Sequence, residues 1–242
     1  CFHCFKHFSR ATFSDEYRQK KRHLNFTLFK LLSSGVSMRR SAQILGINKN
    51  TVEKKVHYLN LKSIVFQKKL LQSLKNKVQH IQFDDLITIE HTKLKPVSVT
   101  IAVCKDTRTI LSAKASQIPS FGHLAKLSRR KYGLRANLHK EGLQEVFQEI
   151  SDTLIKNVRV DSDYHKFYPG FVEKFTNEGI HHQYKGRKAI IAGLGEMKKG
   201  GRDPLFQINQ IMAMFRDNIK RLSRRTWCTT KNIENLQMHL NI

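Results

Sequence analysis

The order of apolar patterns in the last two thirds of the chain is the feature that most restricts the fold. Three segments with the alternating or β-branched composition of strands follow one another at residues 81–89, 97–103 and 109–116. A helical pattern, short strands and further helices then alternate: helix 142–155, strand 157–162, helix 166–175, strand 179–184 and a long helix from 203 to about 225. The predicted order is therefore β-β-β-α-β-α-β-α.

This order predicts one mixed sheet. The first three strands are joined by short turns and should form an antiparallel meander, whereas each later strand follows a crossover helix and should join in parallel. The helices then cover both faces of the sheet. We expect a ribonuclease-H-like α/β core over residues 80–242.

The preceding segment, residues 23–60, predicts an all-α helix-turn-helix module. Its first helix ends at Ser34 and Gly35, Ser37 caps the second helix, and Gly46 ends it. Asn50 is the expected cap of a third helix that begins at Thr51. Residues 61–79 continue as a basic helical linker, so the whole chain is expected to be multidomain.

In such a module the second and third helices face DNA, and residues 48–55 form the recognition segment. The alternative is a plain helical bundle with a solvated basic face. The predicted base or phosphate contacts are Arg39, Arg40, Asn50, Thr51, Lys54 and Lys55.

Charge supports a polyanionic partner. The 242 residues carry 44 Lys and Arg against 19 Asp and Glu, a net charge of +25. Residues 1–79 hold 17 of the basic residues and only 3 of the acidic ones. The amino-terminal third is therefore the expected DNA-binding part, and most of the carboxylates lie in the following domain.

The chain opens with Cys1 and Cys4, a C-x2-C pair. A structural zinc site needs four ligands, so we interpret residues 1–22 as a partial zinc-ribbon remnant that binds Zn²⁺ only if an upstream cysteine pair exists. Two incidental thiols are the alternative. Four cysteines in all do not make a disulfide framework, which favours a reducing compartment.

Two acidic residues stand out by position. Asp84 lies with Asp85 inside an otherwise apolar strand, and Asp163 comes just past the fourth strand. Adjacent strands would bring Asp84 and Asp163 together, and converging carboxylates favour a divalent cation. A salt-bridged acid at a strand edge is the alternative for Asp84, and Asp161 is expected on the same face as Asp163.

The chain resembles bacterial insertion-sequence transposases of the DDE type. The resemblance rests on residues 82–85 (QFDD), 162–169 (SDYHKFYP) and 215–231 (FRDNIKRLSRRTWCTTK) and covers essentially the whole chain. It implies that Asp84 and Asp163 are the first two catalytic acids. It also implies a bacterial, cytoplasmic, nucleoid-associated protein.

The third acid departs from the family pattern. The family places Glu seven residues before a basic residue; Arg216 fits the basic position, but Asn209 stands where Glu is expected. Glu196, in a glycine-flanked loop, is our preferred third catalytic and metal-binding residue, and Asp217 is less suitable. The family's basic helix would carry phosphate contacts at Arg216, Lys220, Arg221, Arg224 and Arg225.

The expected activity is binding of element ends followed by metal-dependent strand cleavage and strand transfer, with Mg²⁺ or Mn²⁺, two ions in all, held by Asp84, Asp163 and Glu196. The expected partners are double-stranded DNA and further copies of the chain, with no membrane and no small-molecule substrate. The alternative is a catalytically decayed or non-enzymatic DNA-binding protein.

Overall fold

The computed structural model describes residues 1–176, 178–185, 203–223 and 228–242. Short 3-10 turns within the first 24 residues precede three helices: α1 (Asn25–Ser33), α2 (Met38–Ile44) and α3 (Lys49–Ser73). These helices bury a small core of their own around Leu28, Val52 and Val56. Ile44, on α2, is 58% exposed and lies outside this core.

The turns between these helices follow from their caps. The Ser37 hydroxyl accepts a hydrogen bond from the Arg40 amide at the start of α2, and Gly46 has a left-handed φ of +60° after its end. Asn48, not Asn50, caps α3, because its side chain accepts from the Asn50 amide. The third helix therefore begins two residues earlier than predicted.

The boundary predicted between residues 60 and 61 falls inside α3. This helix runs unbroken for 25 residues because residues 49–73 contain no Gly or Pro. The Gln67 amide donates to the carbonyl oxygens of Ile110 and Leu111 at 3.2 and 2.8 Å, which fixes the second half of α3 to the sheet. The predicted module and linker thus share one rigid element.

The protein has an α/β fold with a mixed five-stranded sheet. Its strands are β1 (Val78–Glu90), β2 (Thr92–Cys104), β3 (Ile110–Gln117), β4 (Leu154–Asp163) and β5 (Ile180–Tyr184), in the order β3-β2-β1-β4-β5. The first three strands pair antiparallel, and β4 and β5 join in parallel beside β1. The predicted meander and the predicted parallel extension are both confirmed. β1 and β2 are longer than predicted and meet in a tight hairpin at His91.

The remaining helices are α4 (Leu124–Tyr132), α5 (His139–Ile150), α6 (Tyr168–Phe175), α7 (Phe206–Asn218) and α8 (Ile233–Asn241). The prediction that the long last helix reaches about residue 225 is wrong, since α7 ends at Asn218 and Ile219 is extended. The α1–α2 turn packs on that end: a Cβ on Gly35 would lie 2.8 Å from the Asp217 carbonyl oxygen. The residues after Asn218 therefore leave the helix axis.

Each face of the sheet carries its own apolar core. Phe83 and Val160 pack with α5 and α6 on one face, whereas Leu86 and Val99 pack with α7 and α8 on the other. No helix among the described residues is long and apolar enough to cross a membrane. Polar side chains gather between the two covered faces where β4 ends beside the middle of β1.

Candidate functional site

The candidate site lies where β4 ends beside the middle of β1. Phe83 pairs with Ser162 in the parallel register, so Asp84 and Asp163 occupy the next position on adjacent strands. Side chains at equivalent positions of neighbouring parallel strands share a face, and the strands are about 5 Å apart. The strand register therefore places the two acids that the sequence predicted at neighbouring positions of adjacent strands.

Asp85 is the structural member of the acidic pair. Its Oδ1 accepts hydrogen bonds from Ser98 at 2.7 Å and Thr100 at 2.5 Å. Its Oδ2 accepts from the Tyr168 hydroxyl and contacts His139 Nε2, each at 2.5 Å. Burial alone would raise the pKa of Asp85, but the hydrogen bonds from His139, Thr100 and Tyr168 hold it at about 2. Asp85 therefore stays ionised and fixes β1 beside Asp84.

Asp163 has the opposite environment. Its buried Oδ1 has no hydrogen-bond partner among the described residues, and neither does the buried Nδ1 of His165, two residues along. Burial raises the pKa of Asp163, and the charge of Asp85 raises it further. Unpaired buried polar atoms are rare in native proteins, so this end of β4 is a place where a ligand is expected.

Asp161, on the same strand, is held by two cations and a histidine. Its buried carboxylate contacts His80 Nε2 at 2.8 Å, Lys105 Nζ at 3.0 Å and Arg159 Nε at 3.1 Å. Burial would raise its pKa, but hydrogen bonds from Lys105, His80 and Arg159 lower it instead. Asp161 therefore ties β4 to β1 and to the end of β2, and it has no oxygen to spare for a ligand.

The third predicted acid is not settled by the geometry. Glu196 lies outside the described residues. Asn209 is exposed on α7, and its Nδ2 donates to Asp203 Oδ2 at 2.9 Å. Asp217 is also exposed, near the end of α7. Among the described residues, no three His, Cys, Asp or Glu side chains form a preformed metal cluster.

The residues predicted to contact DNA differ in their exposure to solvent. Arg39, Arg40, Asn50 and Lys54 are exposed, and Thr51 is half-buried. Lys55 was wrongly predicted as a DNA contact, since it is only 2% exposed. Its ammonium donates to Asn25 Oδ1, Gln19 Oε1 and the Lys20 carbonyl oxygen at 2.6, 3.1 and 3.1 Å, which attaches the amino-terminal segment to α3.

The predicted phosphate contacts near α7 do not share one helix face. Arg216 is on α7 and donates to the Ile87 carbonyl oxygen at 3.2 Å, whereas Lys220 and Arg221 lie beyond the helix end. Arg221 is half-buried, with Nη2 3.7 Å from Met38 Sδ, and burial lowers its pKa. Arg224 and Arg225 lie outside the described residues.

At the amino terminus, Cys1 and Cys4 are free and exposed. The Cys1 amino group donates to the Lys6 carbonyl oxygen at 3.0 Å, and the Phe5 amide donates to the Cys1 carbonyl oxygen at 2.8 Å. These contacts close a small turn that places both thiols on the surface. Zinc binding by this pair stays a prediction.

Sequence reasoning assigned no role to two residues that shape the site. His139 begins α5, some fifty residues from Asp85 along the chain, and no local pattern marks their pairing. Tyr168 lies within one of the stretches that resemble transposases, but only the fold shows that its hydroxyl reaches Asp85. A hydrogen bond to Asp85 raises the pKa of His139, which favours the protonated form of that histidine.

Comparison with known proteins adds no name to this site. No protein-family model matches the chain, and no curated protein shows significant similarity to it. Function is therefore inferred from the residues and their geometry.

Proposed function

We propose that the protein is a DNA transposase that binds element ends and carries out metal-dependent strand cleavage and strand transfer. The observation that carries the proposal is that Asp84 and Asp163 occupy neighbouring positions where β4 ends beside β1. Asp163 Oδ1 is buried there and has no partner among the described residues. The strand order β3-β2-β1-β4-β5 supports a ribonuclease-H-like core, in which phosphodiester chemistry takes place at this edge.

The side chains fit a divalent cation. Mg²⁺ and Mn²⁺ prefer oxygen ligands, and Asp84 and Asp163 supply carboxylates from adjacent strands beside Asp85, whose own oxygens are engaged by Ser98, Thr100, His139 and Tyr168. The bound cation would supply charge neutralisation at the phosphodiester. Asp85 and Tyr168 hold the strand in place, and His139 contributes positive charge beside the DNA backbone.

The amino-terminal helices support DNA recognition. Helix α2 and the first turns of α3 are joined by a tight turn and expose Arg39, Arg40, Asn50 and Lys54. This is the arrangement of a helix-turn-helix, in which the second of the two helices enters the major groove. The strongly basic first third of the chain supplies the sequence-independent part of the affinity.

A DNA-binding protein without catalysis is the second candidate. It is favoured by Asn209, which occupies the position of the third acid and is paired with Asp203. An amide oxygen can bind a cation but brings no negative charge. Such a protein would bind DNA through the helix-turn-helix and would not cleave DNA strands.

The two candidates are separated by incubating the protein with Mg²⁺ or Mn²⁺ and plasmid DNA that carries the sequences flanking its coding region. We expect nicked and joined products from wild type, and a loss of at least about a hundredfold in rate from Asp84→Asn or Asp163→Asn. Asp106→Asn, in the exposed β2–β3 turn, is the matched control and should retain activity.

Wild type that is as inactive as Asp84→Asn, while both bind the DNA equally, would support the non-catalytic candidate. If wild type is active, Glu196→Gln and Asn209→Ala identify the third ligand, because only the variant that removes it should raise the Mn²⁺ concentration needed for half-maximal activity.

A further inference from the structure

The loop between β4 and α6 places an exposed aromatic ring beside the candidate carboxylates. Tyr164 directly follows Asp163, and it is 59% exposed. Lys185, at the end of the neighbouring strand β5, holds its ammonium 5.2 Å from the centre of the Tyr164 ring. An exposed aromatic ring with a cation over it is therefore fixed at the edge of the site.

A second ring stands on the same loop. Phe167 makes edge-to-face contacts with His165 and His139, with ring centres 4.2 and 5.7 Å apart. Lys140 Nζ lies 5.2 Å from the centre of the Phe167 ring. The next residue, Tyr168, donates a hydrogen bond from its hydroxyl to Asp85. This bond fixes the position of the loop relative to the carboxylates.

Aromatic rings interleaved with lysines are suited to nucleotides. A base stacks on the ring while the flanking phosphate pairs with the ammonium. Residues 164–168 (YHKFY) contain no acidic residue, and Lys140, Lys166 and Lys185 are exposed. An intact duplex keeps its base faces inside the stack, so only an unpaired nucleotide can use these rings.

We propose that Tyr164 and Phe167 form a stacking platform for unpaired DNA nucleotides beside Asp163. Lys140 and Lys185 bind the flanking phosphates. This inference rests on the proposed function and deepens it: the DNA at the site is a strand separated from its complement rather than an intact duplex.

The test is equilibrium binding by fluorescence anisotropy in buffer without divalent metal. The probes are a short duplex with a single-stranded extension and the same duplex with a blunt end. Wild type should prefer the extended duplex. Tyr164→Ala should reduce that preference by about five- to a hundredfold, since stacking contributes about 1–3 kcal/mol per base. Tyr164→Phe keeps the ring and should keep the preference.

The matched control is Tyr17→Ala. Tyr17 is also an exposed tyrosine, 47% exposed with Arg18 5.4 Å from its ring centre, but it lies in the amino-terminal segment. This variant should leave the preference unchanged. The platform is refuted if Tyr164→Ala keeps the preference, or if it weakens both DNAs equally.

The readout also separates this inference from the proposed function. Binding without metal requires no strand cleavage, so an inactive wild type would refute the transposase while the stacking preference stands or falls on its own. Circular dichroism melts of each variant confirm that the loss belongs to the platform and not to unfolding.

Discussion

At the scale of single residues, two adjacent lysines on α3 have opposite environments. Lys54 is exposed, whereas Lys55 is buried and uses its three N–H donors on Gln19, Lys20 and Asn25. Burial lowers the pKa of Lys55, and the charge of Glu16 partly offsets that effect. One lysine is therefore open to solvent, and its neighbour holds the amino-terminal segment in place.

We expect Lys55→Met to lower the free energy of unfolding by about 2–3 kcal/mol, because it leaves the buried Asn25 Oδ1 and the acceptors on Gln19 and Lys20 without their donor. Lys54→Met should change that free energy by less than about 0.5 kcal/mol. Urea unfolding measures both. DNA affinity should respond in the reverse way: Lys54→Met should reduce the slope of log affinity against log salt by about one, and Lys55→Met should leave that slope unchanged. Equal effects of the two substitutions on stability would contradict the buried position of Lys55.

The pair also shows why sequence alone assigned some residues wrongly. In the sequence of a basic helix, Lys54 and Lys55 look alike. Their exposure differs because residues 16–25 pack over Lys55, and no local sequence pattern predicts that packing. His139 escaped notice for the same reason, since its partner Asp85 lies on another element. Asp84 was singled out because a carboxylate in an apolar strand is costly wherever the rest of the chain lies, and Asp163 because it follows the fourth predicted strand.

At the scale of elements, α5 approaches β3 so closely that only glycine fits between them. A Cβ on Gly142 would lie 1.7 Å from Ser116 Oγ and 2.9 Å from Ser116 Cβ. Gly170, on α6, offers the opposite case: a Cβ there has no atom within 4 Å, and the residue is exposed.

Gly142→Ala should therefore destabilise the protein by about 1–3 kcal/mol through overpacking. Gly170→Ala should stabilise it by up to about 1 kcal/mol, because alanine is the better helix former. Thermal melts followed by circular dichroism compare the two. A Gly142→Ala protein that melts at or above the wild-type temperature would show that α5 does not pack so closely on the sheet.

Element types were predictable where the pattern is local. The meander follows from alternating residues and short turns, and the parallel strands follow from the helices between them. The end of α7 was not predicted because no Gly or Pro marks it in the sequence; the Gly35 turn, far away in the chain, lies against Asp217 there. Helix α4 was also missed, since four of the nine residues 124–132 are basic and only a few apolar residues mark the buried side.

At the scale of the whole molecule, α8 connects the amino-terminal helices to the sheet. Gln237 exchanges hydrogen bonds with the backbone of Ala113 and Ala115, and Asn241 donates to Asn60 on α3 at 2.7 Å. Met238 and Ile242 pack against the core of the first three helices. The predicted domain boundary at residue 80 thus lies between two parts of the chain that both contact α8.

His239 makes this junction sensitive to acid. Burial, followed by the charge of Arg221, lowers its pKa from 6.5 to about 4. Between these values the unfolded chain binds more protons than the folded one, so the free energy of unfolding should fall as the pH falls. The loss should reach up to about 3 kcal/mol by pH 4. His239→Leu should remove this part of the pH dependence.

Urea unfolding at neutral pH and at pH about 4.5 tests this expectation across the window in which His239 titrates. His123→Leu is the control, because His123 is exposed and lies away from the junction. It should show the wild-type dependence. A His239→Leu protein that loses as much stability on acidification as wild type would place the acid-sensitive group elsewhere.

Because α3 is unbroken, inserting residues within it changes the orientation of all the residues before the insertion. Its 25 residues span about 38 Å, and each residue added would turn everything before it by about 100° about the axis. One inserted residue between Asn60 and Gln67 would therefore point Lys54 in a different direction relative to the sheet. Seven added residues, about two full turns, would nearly restore that direction while moving the recognition segment outward. The direction of the proposed DNA-binding surface is thus set by helical phase, and an insertion of any length would also break the contacts of α8 with the first three helices.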